Sequence, residues 1–200
     1  MMENKGNKIM DEDTIVIVSG LPRSGTSMLM SMLEAGGMVV LTDNIREADE
    51  DNPKGYYEFE RVKELKADKA WLEDAKGKVV KMVSALLKHL PVGYNYRVIF
   101  MKRKMEEILA SQKQMLIRRG KTTNEVSDER MAKLYQEHLE HIKMWLSKQT
   151  NFDVIYINYN DILKNPLENA EKLNKFLGNT LSLKEMIGVV DRNLYRQRYG

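Results

Sequence analysis

The chain has 200 residues, a length that suits one domain with a buried core of its own. It contains no cysteine, which excludes disulfides, thiol catalysis and thiolate metal sites. Its net charge is only +3, and its longest apolar runs are far too short to span a bilayer.

The N-terminal segment, over 1–13, is polar and lacks the apolar centre of a secretory signal. We therefore expect a flexible tail over 1–13, followed by a single domain over 14–200. A chain without cysteine and without a signal fits a reducing compartment, so a cytoplasmic location is the default expectation. The sequence does not indicate an oligomeric state.

Four short runs rich in β-branched and aromatic residues predict strands, over 14–19, 78–83, 96–101 and 153–158. Helical spacing of apolar residues predicts helices over about 24–35, 58–74, 105–116, 128–148 and 165–177, with a short piece over 86–90 and a partly helical tail after 181. In the helix over 128–148, we expect these side chains to point inward: Met131, Leu134, Tyr135, Leu139, Ile142 and Trp145. No tight hairpin joins two strands, which predicts an α/β fold with a parallel sheet and helices on both faces.

A glycine-rich loop lies between the first predicted strand and the first predicted helix. Gly20 and Gly25 have the spacing of the phosphate-binding P-loop, G-x-x-x-x-G-K-[S/T], in which backbone N–H groups and a helix N-terminus surround an anion. Thr26 occupies the position of the lysine that contacts the β- and γ-phosphates in ATP-binding loops, and Ser27 follows it. The cation of this loop is instead Arg23, whose guanidinium can bind two oxygens of a tetrahedral anion.

Two further features bear on the ligand of this loop. No apolar strand ends in a Walker-B aspartate, so we expect a phosphate-like group to bind without a metal. The stretch 97–121 carries eight basic residues against Glu106 and Glu107. This local excess of positive charge suits an anionic ligand, although a solvated basic helix face would have the same composition.

The residues from Pro22 to Thr26, Pro-Arg-Ser-Gly-Thr, are similar to the 5′-phosphosulfate loop of sulfotransferases that use 3′-phosphoadenosine 5′-phosphosulfate (PAPS). Arg103 follows the third strand and Ser111 lies eight residues later, as in that family's 3′-phosphate pair. The stretch 154–166 resembles the family's Tyr-Glu-x-Leu segment, in which Tyr159 would lie near the nucleotide. The stretch 80–83 lies where cytosolic members carry Lys-x-His.

The resemblance implies a P-loop NTPase-like three-layer sandwich with a mainly parallel sheet. It implies in-line transfer of a sulfuryl group from PAPS to an acceptor hydroxyl or amine, without a metal. The nucleotide would be bound by Arg23, Ser24, Gly25, Thr26, Ser27, Arg103, Ser111 and Tyr159. Arg23 would stabilise the transferring group and the leaving phosphate, and Lys81 would add positive charge nearby.

The proton acceptor is the main departure from the family. The catalytic histidine would fall at Val83, which cannot take a proton. Golgi-type relatives use a glutamate after the first helix, and here the candidates are Glu58, beside Tyr56 and Tyr57, and Glu47. We expect structural or solvated roles for the three histidines, His89, His138 and His141.

The C-terminal Arg-Lys-Gly segment of the cytosolic enzymes is also absent. Arg192, Arg196 and Arg198 would either replace it or form a solvated basic end.

Two alternative functions stay open. A small nucleotide kinase also has a P-loop and a parallel sheet, although the missing lysine argues against it. A sulfotransferase-like protein that binds nucleotide without catalysis is the other, because Val83 replaces the histidine. Nucleic-acid binding is disfavoured, since the basic residues cluster without interleaved aromatic residues. The acceptor remains any hydroxyl-bearing molecule.

Overall fold

The computed structural model describes residues 12–43, 45–49, 52, 55–122, 126–191 and 193. Most of the expected N-terminal tail lies outside these residues, and so do Arg192, Arg196 and Arg198. None of the helices within the described part of the chain has an apolar stretch of the length needed to cross a bilayer.

Four parallel strands form the sheet, in the order β2-β1-β3-β4, and this confirms the predicted topology. They are β1 (Ile15–Gly20), β2 (Val79–Val83), β3 (Tyr96–Lys102) and β4 (Phe152–Asn158). Gly20 pairs with both Val83 and Met101. The carboxyl ends of the strands therefore meet at one edge of the sheet, where ligands bind in open α/β sheets.

Helices cover both faces of the sheet, so the three-layer prediction is also confirmed. Along β1, Val16 and Val18 face one core and Ile15 and Ile17 face the other, because successive side chains of a strand point to opposite faces. The helices packing on the first face are α1 (Thr26–Ala35), α5 (Tyr159–Lys164), α6 (Pro166–Phe176) and α7 (Leu183–Gly188). On the second face lie α2 (Trp71–Asp74), α4 (Asp128–Leu146) and two 3₁₀ segments, Glu60–Glu64 and Ser84–His89.

The helix α3 (Met105–Arg118) follows β3 and lies beside α4. The hydroxyl of Tyr135 on α4 donates a hydrogen bond to Gln112 Oε1 on α3 at 2.7 Å. The prediction for α4 was wrong at Leu134, which is 49% exposed rather than inward-facing.

The helix predicted over 58–74 is also wrong. The chain instead forms the 3₁₀ segment and then the single turn of α2. Val62 and Leu65 are both buried, but they are joined by a hydrogen bond from the N–H of Leu65 to the carbonyl of Val62, which tightens the turn. The Asp68 carboxylate then accepts the N–H of Ala70 at 3.0 Å, a local bond that competes with continued helix.

The short helix α5 was not predicted as a separate element. It begins directly after β4, where the side chain of Asn158 accepts a hydrogen bond from the N–H of Asn160 at 2.9 Å. This cap turns the chain sharply and directs Tyr159 and Asn160 toward the carboxyl edge of the sheet.

Candidate active site

A cavity of about 440 Å³ lies at the carboxyl edge of the sheet. Nine of the eleven residues that the sequence assigned to nucleotide binding or catalysis line it: Arg23, Gly25, Thr26, Ser27, Glu58, Lys81, Arg103, Ser111 and Tyr159. The two others, Ser24 and Glu47, do not. One site thus gathers side chains from segments that are more than a hundred residues apart in sequence.

The loop between β1 and α1 has the backbone of an anion cradle. Gly25 has φ 96°, and a Cβ added to it would lie 2.3 Å from Cδ2 of Tyr159, so the Tyr159 ring fits only against glycine. Arg23 itself has φ 69°, a left-handed conformation that is uncommon for a non-glycine residue. The first N–H groups of α1 have no partner within the helix and are available to an anion.

Ser24 braces this loop from within. Its hydroxyl donates to the carbonyl of Leu21 at 2.7 Å, and its N–H donates to the same carbonyl at 3.2 Å. The side chain is completely buried. The N–H and the hydroxyl of Ser24 are therefore engaged inside the loop, and the hydroxyl-bearing residues that line the cavity directly after it are Thr26 and Ser27.

Direct hydrogen bonds join the loop to the Arg103–Ser111 pair. Arg23 Nε donates to Ser111 Oγ at 2.9 Å, and Arg103 Nη1 donates to the carbonyl of Arg23 at 3.0 Å. The two groups of residues that the sequence assigned to separate anionic groups are consequently adjacent parts of one wall.

Arg103 is held from behind by a buried network. Its Nε donates to Glu107 Oε2 at 2.8 Å, and Glu107 is fully buried. Asn160 Nδ2 donates to both oxygens of the same carboxylate, at 3.0 and 3.2 Å. The guanidinium carbon also lies 4.4 Å from the centre of the Tyr159 ring, a cation–π distance. These contacts fix the direction in which the guanidinium faces the cavity.

Lys81 enters the cavity from β2. Its Nζ donates to the carbonyl of Tyr56 and lies 3.5 Å from Ser27 Oγ. Burial lowers the pKa of Lys81 to about 8, and Glu58 opposes that shift in part. Val83 lies two residues further along the strand, lines the same cavity and is 43% exposed.

The segment before the first 3₁₀ turn forms the outer wall. The Arg46 guanidinium carbon lies 3.3 Å from the centre of the Tyr56 ring, and Arg46 Nη1 is 2.5 Å from Glu58 Oε1. The Tyr56 hydroxyl donates to Asp49 Oδ1 at 2.5 Å. Burial, followed by this hydrogen bond, raises the pKa of Tyr56 above its ordinary value.

Glu47 lies outside the main cavity. It is exposed and lines a neighbouring cavity of about 300 Å³. Arg46 and Tyr56 line both cavities and lie between them. None of the three histidines, all of which the structure describes, lines the main cavity. His138 Nε2 instead lies 2.8 Å from Ser84 Oγ, and burial lowers its pKa.

Sequence reasoning missed several residues of the site. Glu107 had a detectable signal, because it lies four residues after Arg103 on one helix and is therefore within reach of it. Arg46, Arg118 and Asp191, which line the cavity, belong to no motif, and their positions follow only from tertiary packing.

Comparison with known proteins identifies the family. The chain matches the model of the sulfotransferase domain over residues 13–197. It belongs to the sulfotransferase family. It is 25% identical over 183 residues to Sulfotransferase 1E1 of Bos taurus, a match that covers 85% of this chain and 60% of that protein. The chain thus spans less than two thirds of the length of this curated relative.

Solved sulfotransferases share the fold. The sulfotransferase domain of the Synechococcus PCC 7002 olefin synthase superposes with a TM-score of 0.58 at 13% identity, covering 94% of this chain and 80% of that one. STF1 from Mycobacterium tuberculosis superposes with a TM-score of 0.56 at 18% identity, covering 96% of this chain and 73% of that one. Mouse SULT7A1, solved in complex with 3′-phosphoadenosine 5′-phosphate (PAP), superposes with a TM-score of 0.53 at 19% identity, covering 94% of this chain and 76% of that one.

Proposed function

We propose that this sulfotransferase-family protein transfers a sulfuryl group from PAPS to a hydroxyl or amine acceptor. The proposal rests on direct hydrogen bonds between the phosphate-binding loop and the Arg103–Ser111 pair. Arg23 donates to Ser111, and Arg103 donates to the Arg23 carbonyl. PAPS has a 5′-phosphosulfate and a separate 3′-phosphate, and two adjacent anion sites suit such a molecule. ATP has no 3′-phosphate for the second site.

In this proposal the loop binds the 5′-phosphosulfate. The N–H groups of Gly25, Thr26 and Ser27 at the start of α1, with the hydroxyls of Thr26 and Ser27, bind the 5′-phosphate. Arg23 faces the transferring group. Arg103 and Ser111 bind the 3′-phosphate, because a fixed guanidinium fork and a hydroxyl supply directional donors. Tyr159 packs between Gly25 and Arg103 and keeps the loop and the guanidinium in contact.

The reaction needs donors aimed at developing charge more than covalent chemistry by the protein. The acceptor oxygen forms a bond to sulfur as the bond from sulfur to the bridging oxygen breaks, and the electron pair of that bond goes to the leaving phosphate. Arg23 stabilises this charge. Removing one such donor costs roughly 10²–10³ in turnover, and we expect a loss of that size for Arg23→Ala.

The test is nucleotide selectivity measured as thermal stabilisation. A ligand at 100 times its Kd stabilises the folded state by about 2.7 kcal/mol, so PAP should raise Tm and AMP, which lacks the 3′-phosphate, should raise it much less. Arg103→Met should abolish the preference for PAP over AMP. Lys113→Met is the matched control, since Lys113 is exposed on the same helix and outside the cavity.

The same assay separates the alternative functions. Stabilisation by ATP with Mg²⁺ but not by PAP, together with ATP consumption, would identify a kinase and refute the proposal. Stabilisation by PAP without formation of PAP from PAPS under any acceptor condition would identify a nucleotide-binding protein without catalysis.

A further inference from the structure

In the proposed reaction, a side chain in the cavity has to accept the proton of the acceptor hydroxyl. The position where the family resemblance places a histidine for this role carries Val83. Lys81 and Val83 lie two residues apart on β2 and therefore project from the same face, with Cα atoms about 7 Å apart. Both line the cavity. A lysine side chain has four methylene groups and is long enough to span the distance between these two positions, and in the structure its nitrogen lies at the Tyr56 carbonyl and Ser27 Oγ.

The direct partners of Lys81 do not require a charged ammonium. Its Nζ contacts the carbonyl of Tyr56 and the hydroxyl of Ser27, both of which a neutral amine can also satisfy as a donor. Among the described residues, no carboxylate forms an ion pair with Lys81 within 4.0 Å. A neutral amine that donates two hydrogen bonds retains one lone pair.

The charges around Lys81 also favour the neutral form. Burial is the largest influence on its pKa, which lies at about 8. The charged and titratable groups that face it come from three segments, and they are Arg23, Arg46, Tyr56, Glu58 and Lys63. Three of them are cations that repel an ammonium, and the single carboxylate, Glu58, is already paired with Arg46 at 2.5 Å and with Lys63 at 3.6 Å.

We propose that Lys81, as an uncharged amine, is the group that takes the proton from the acceptor hydroxyl during sulfuryl transfer, in place of a histidine at position 83. This assignment rests on the proposed function. The acceptor O–H bond breaks, its electron pair forms the O–S bond, the proton goes to Nζ, and the electron pair of the bridging O–S bond goes to the leaving phosphate. Lys81 becomes positive as the leaving oxygen becomes negative.

The other candidates are less suited to this role. Both oxygens of Glu58 are engaged with cations, and accepting a proton would disrupt those ion pairs. The Tyr56 hydroxyl already donates to Asp49, and its raised pKa disfavours the phenolate. Glu47 lines the neighbouring cavity.

The first experiment measures the protonation of Lys81 without any acceptor. Acetic anhydride labels only neutral amines, so labelling is followed from pH 6 to 11 by peptide mass spectrometry. We expect half-maximal labelling of Lys81 near its pKa of about 8 in the folded protein and near the ordinary lysine value of about 10.4 in the same protein unfolded in urea. The same labelling midpoint for Lys81 in the folded and the unfolded protein would overturn the proposal.

The second experiment separates charge from proton transfer. Lys81→Arg keeps a cation but cannot lose a proton, and general-base catalysis contributes roughly 10²–10⁴-fold, so we expect a loss of that size. The probe reaction is formation of PAP from PAPS with water as the acceptor, measured for wild type, Lys81→Arg, the double variant Lys81→Arg with Val83→His, and the control Lys88→Arg. We expect the double variant to form PAP at least ten times faster than Lys81→Arg alone, and its pH profile to shift toward the pKa of imidazole.

Binding of PAP distinguishes failure of this inference from failure of the proposed function. If wild type and Lys81→Arg bind PAP equally and turn over PAPS equally, Lys81 acts at most as a cation and the inference is wrong. If wild type neither binds PAP nor consumes PAPS, the proposed function is wrong, whatever the labelling midpoint.

Discussion

Replacement of Glu107 by glutamine tests the network that holds Arg103. The carboxylate is fully buried and accepts hydrogen bonds from Arg103 and Asn160. Glutamine keeps the volume but removes the charge, and whichever way its amide is turned, the NH₂ group faces a donor that now bonds to the carboxylate. The Arg103 side chain is only 8% exposed, so its charge would remain buried without that carboxylate.

Breaking a buried ion pair by removing one partner costs about 3–5 kcal/mol. In a domain of this size each kcal/mol lowers Tm by roughly 2–4 °C, so we expect Glu107→Gln to lower Tm by roughly 6–20 °C. The assay is thermal and urea unfolding followed by circular dichroism. Glu106→Gln is the matched control, because Glu106 is exposed in the same first turn of α3 and loses the same interaction with the helix dipole. We expect the control to lose less than about 1 kcal/mol.

A difference of less than about 1 kcal/mol between the two variants would refute the reasoning, because it would mean that Arg103 does not depend on the carboxylate. The same variants should differ in ligand response. With Arg103 no longer oriented, stabilisation by PAP should fall in Glu107→Gln and stay unchanged in Glu106→Gln.

Three further predictions concern the loop, the buried amine and a histidine. Gly25→Ala should prevent stabilisation by PAP and destabilise the fold by about 1–3 kcal/mol, because the backbone of Gly25 is left-handed and an added Cβ would meet Tyr159. The control Gly93→Ala should do neither, since a Cβ at Gly93 has nothing within 4 Å. Because folding lowers the pKa of Lys81 from 10.5 to about 8, the unfolded state binds more protons between these values, and the free energy of unfolding should rise by roughly 3 kcal/mol from pH 8 to 10.5 in wild type but not in Lys81→Met. A pH-independent difference between the two proteins would contradict this. The pKa of His138 is lowered, so stability should fall as the pH drops below the ordinary histidine value, and His138→Gln should lack that part of the decrease in acid unfolding curves.

Features that depend on short stretches of sequence were predictable. The predicted strand boundaries agree with the structure within one residue, because β-branched runs such as that of β1 are fully buried and pack on both faces. The loop was recognised because Gly20 and Gly25 have to adopt conformations that other residues avoid. Arg103 and Ser111 were selected because their spacing after the third strand resembles the family's 3′-phosphate pair, and both line the cavity.

Features that depend on tertiary contacts were not predictable. The segment over 58–74 has helical spacing of apolar residues, but Trp71 packs edge-on against Phe59 with ring centres 5.6 Å apart and the chain folds around that contact. Arg46 enters the site by stacking on Tyr56, and no local pattern encodes this contact. The environment of Lys81 arises from three separate segments, so its lowered pKa could not be inferred from β2 alone.

The left-handed backbone of Arg23 has a consequence for protein engineering. A non-glycine residue in this conformation costs of order 1–3 kcal/mol, and glycine would relieve that strain. Arg23→Gly relieves that strain but also loses the hydrogen bond from Nε to Ser111 Oγ and the guanidinium that faces the cavity. At position 23 the backbone conformation favours glycine, whereas the contacts of the side chain favour arginine.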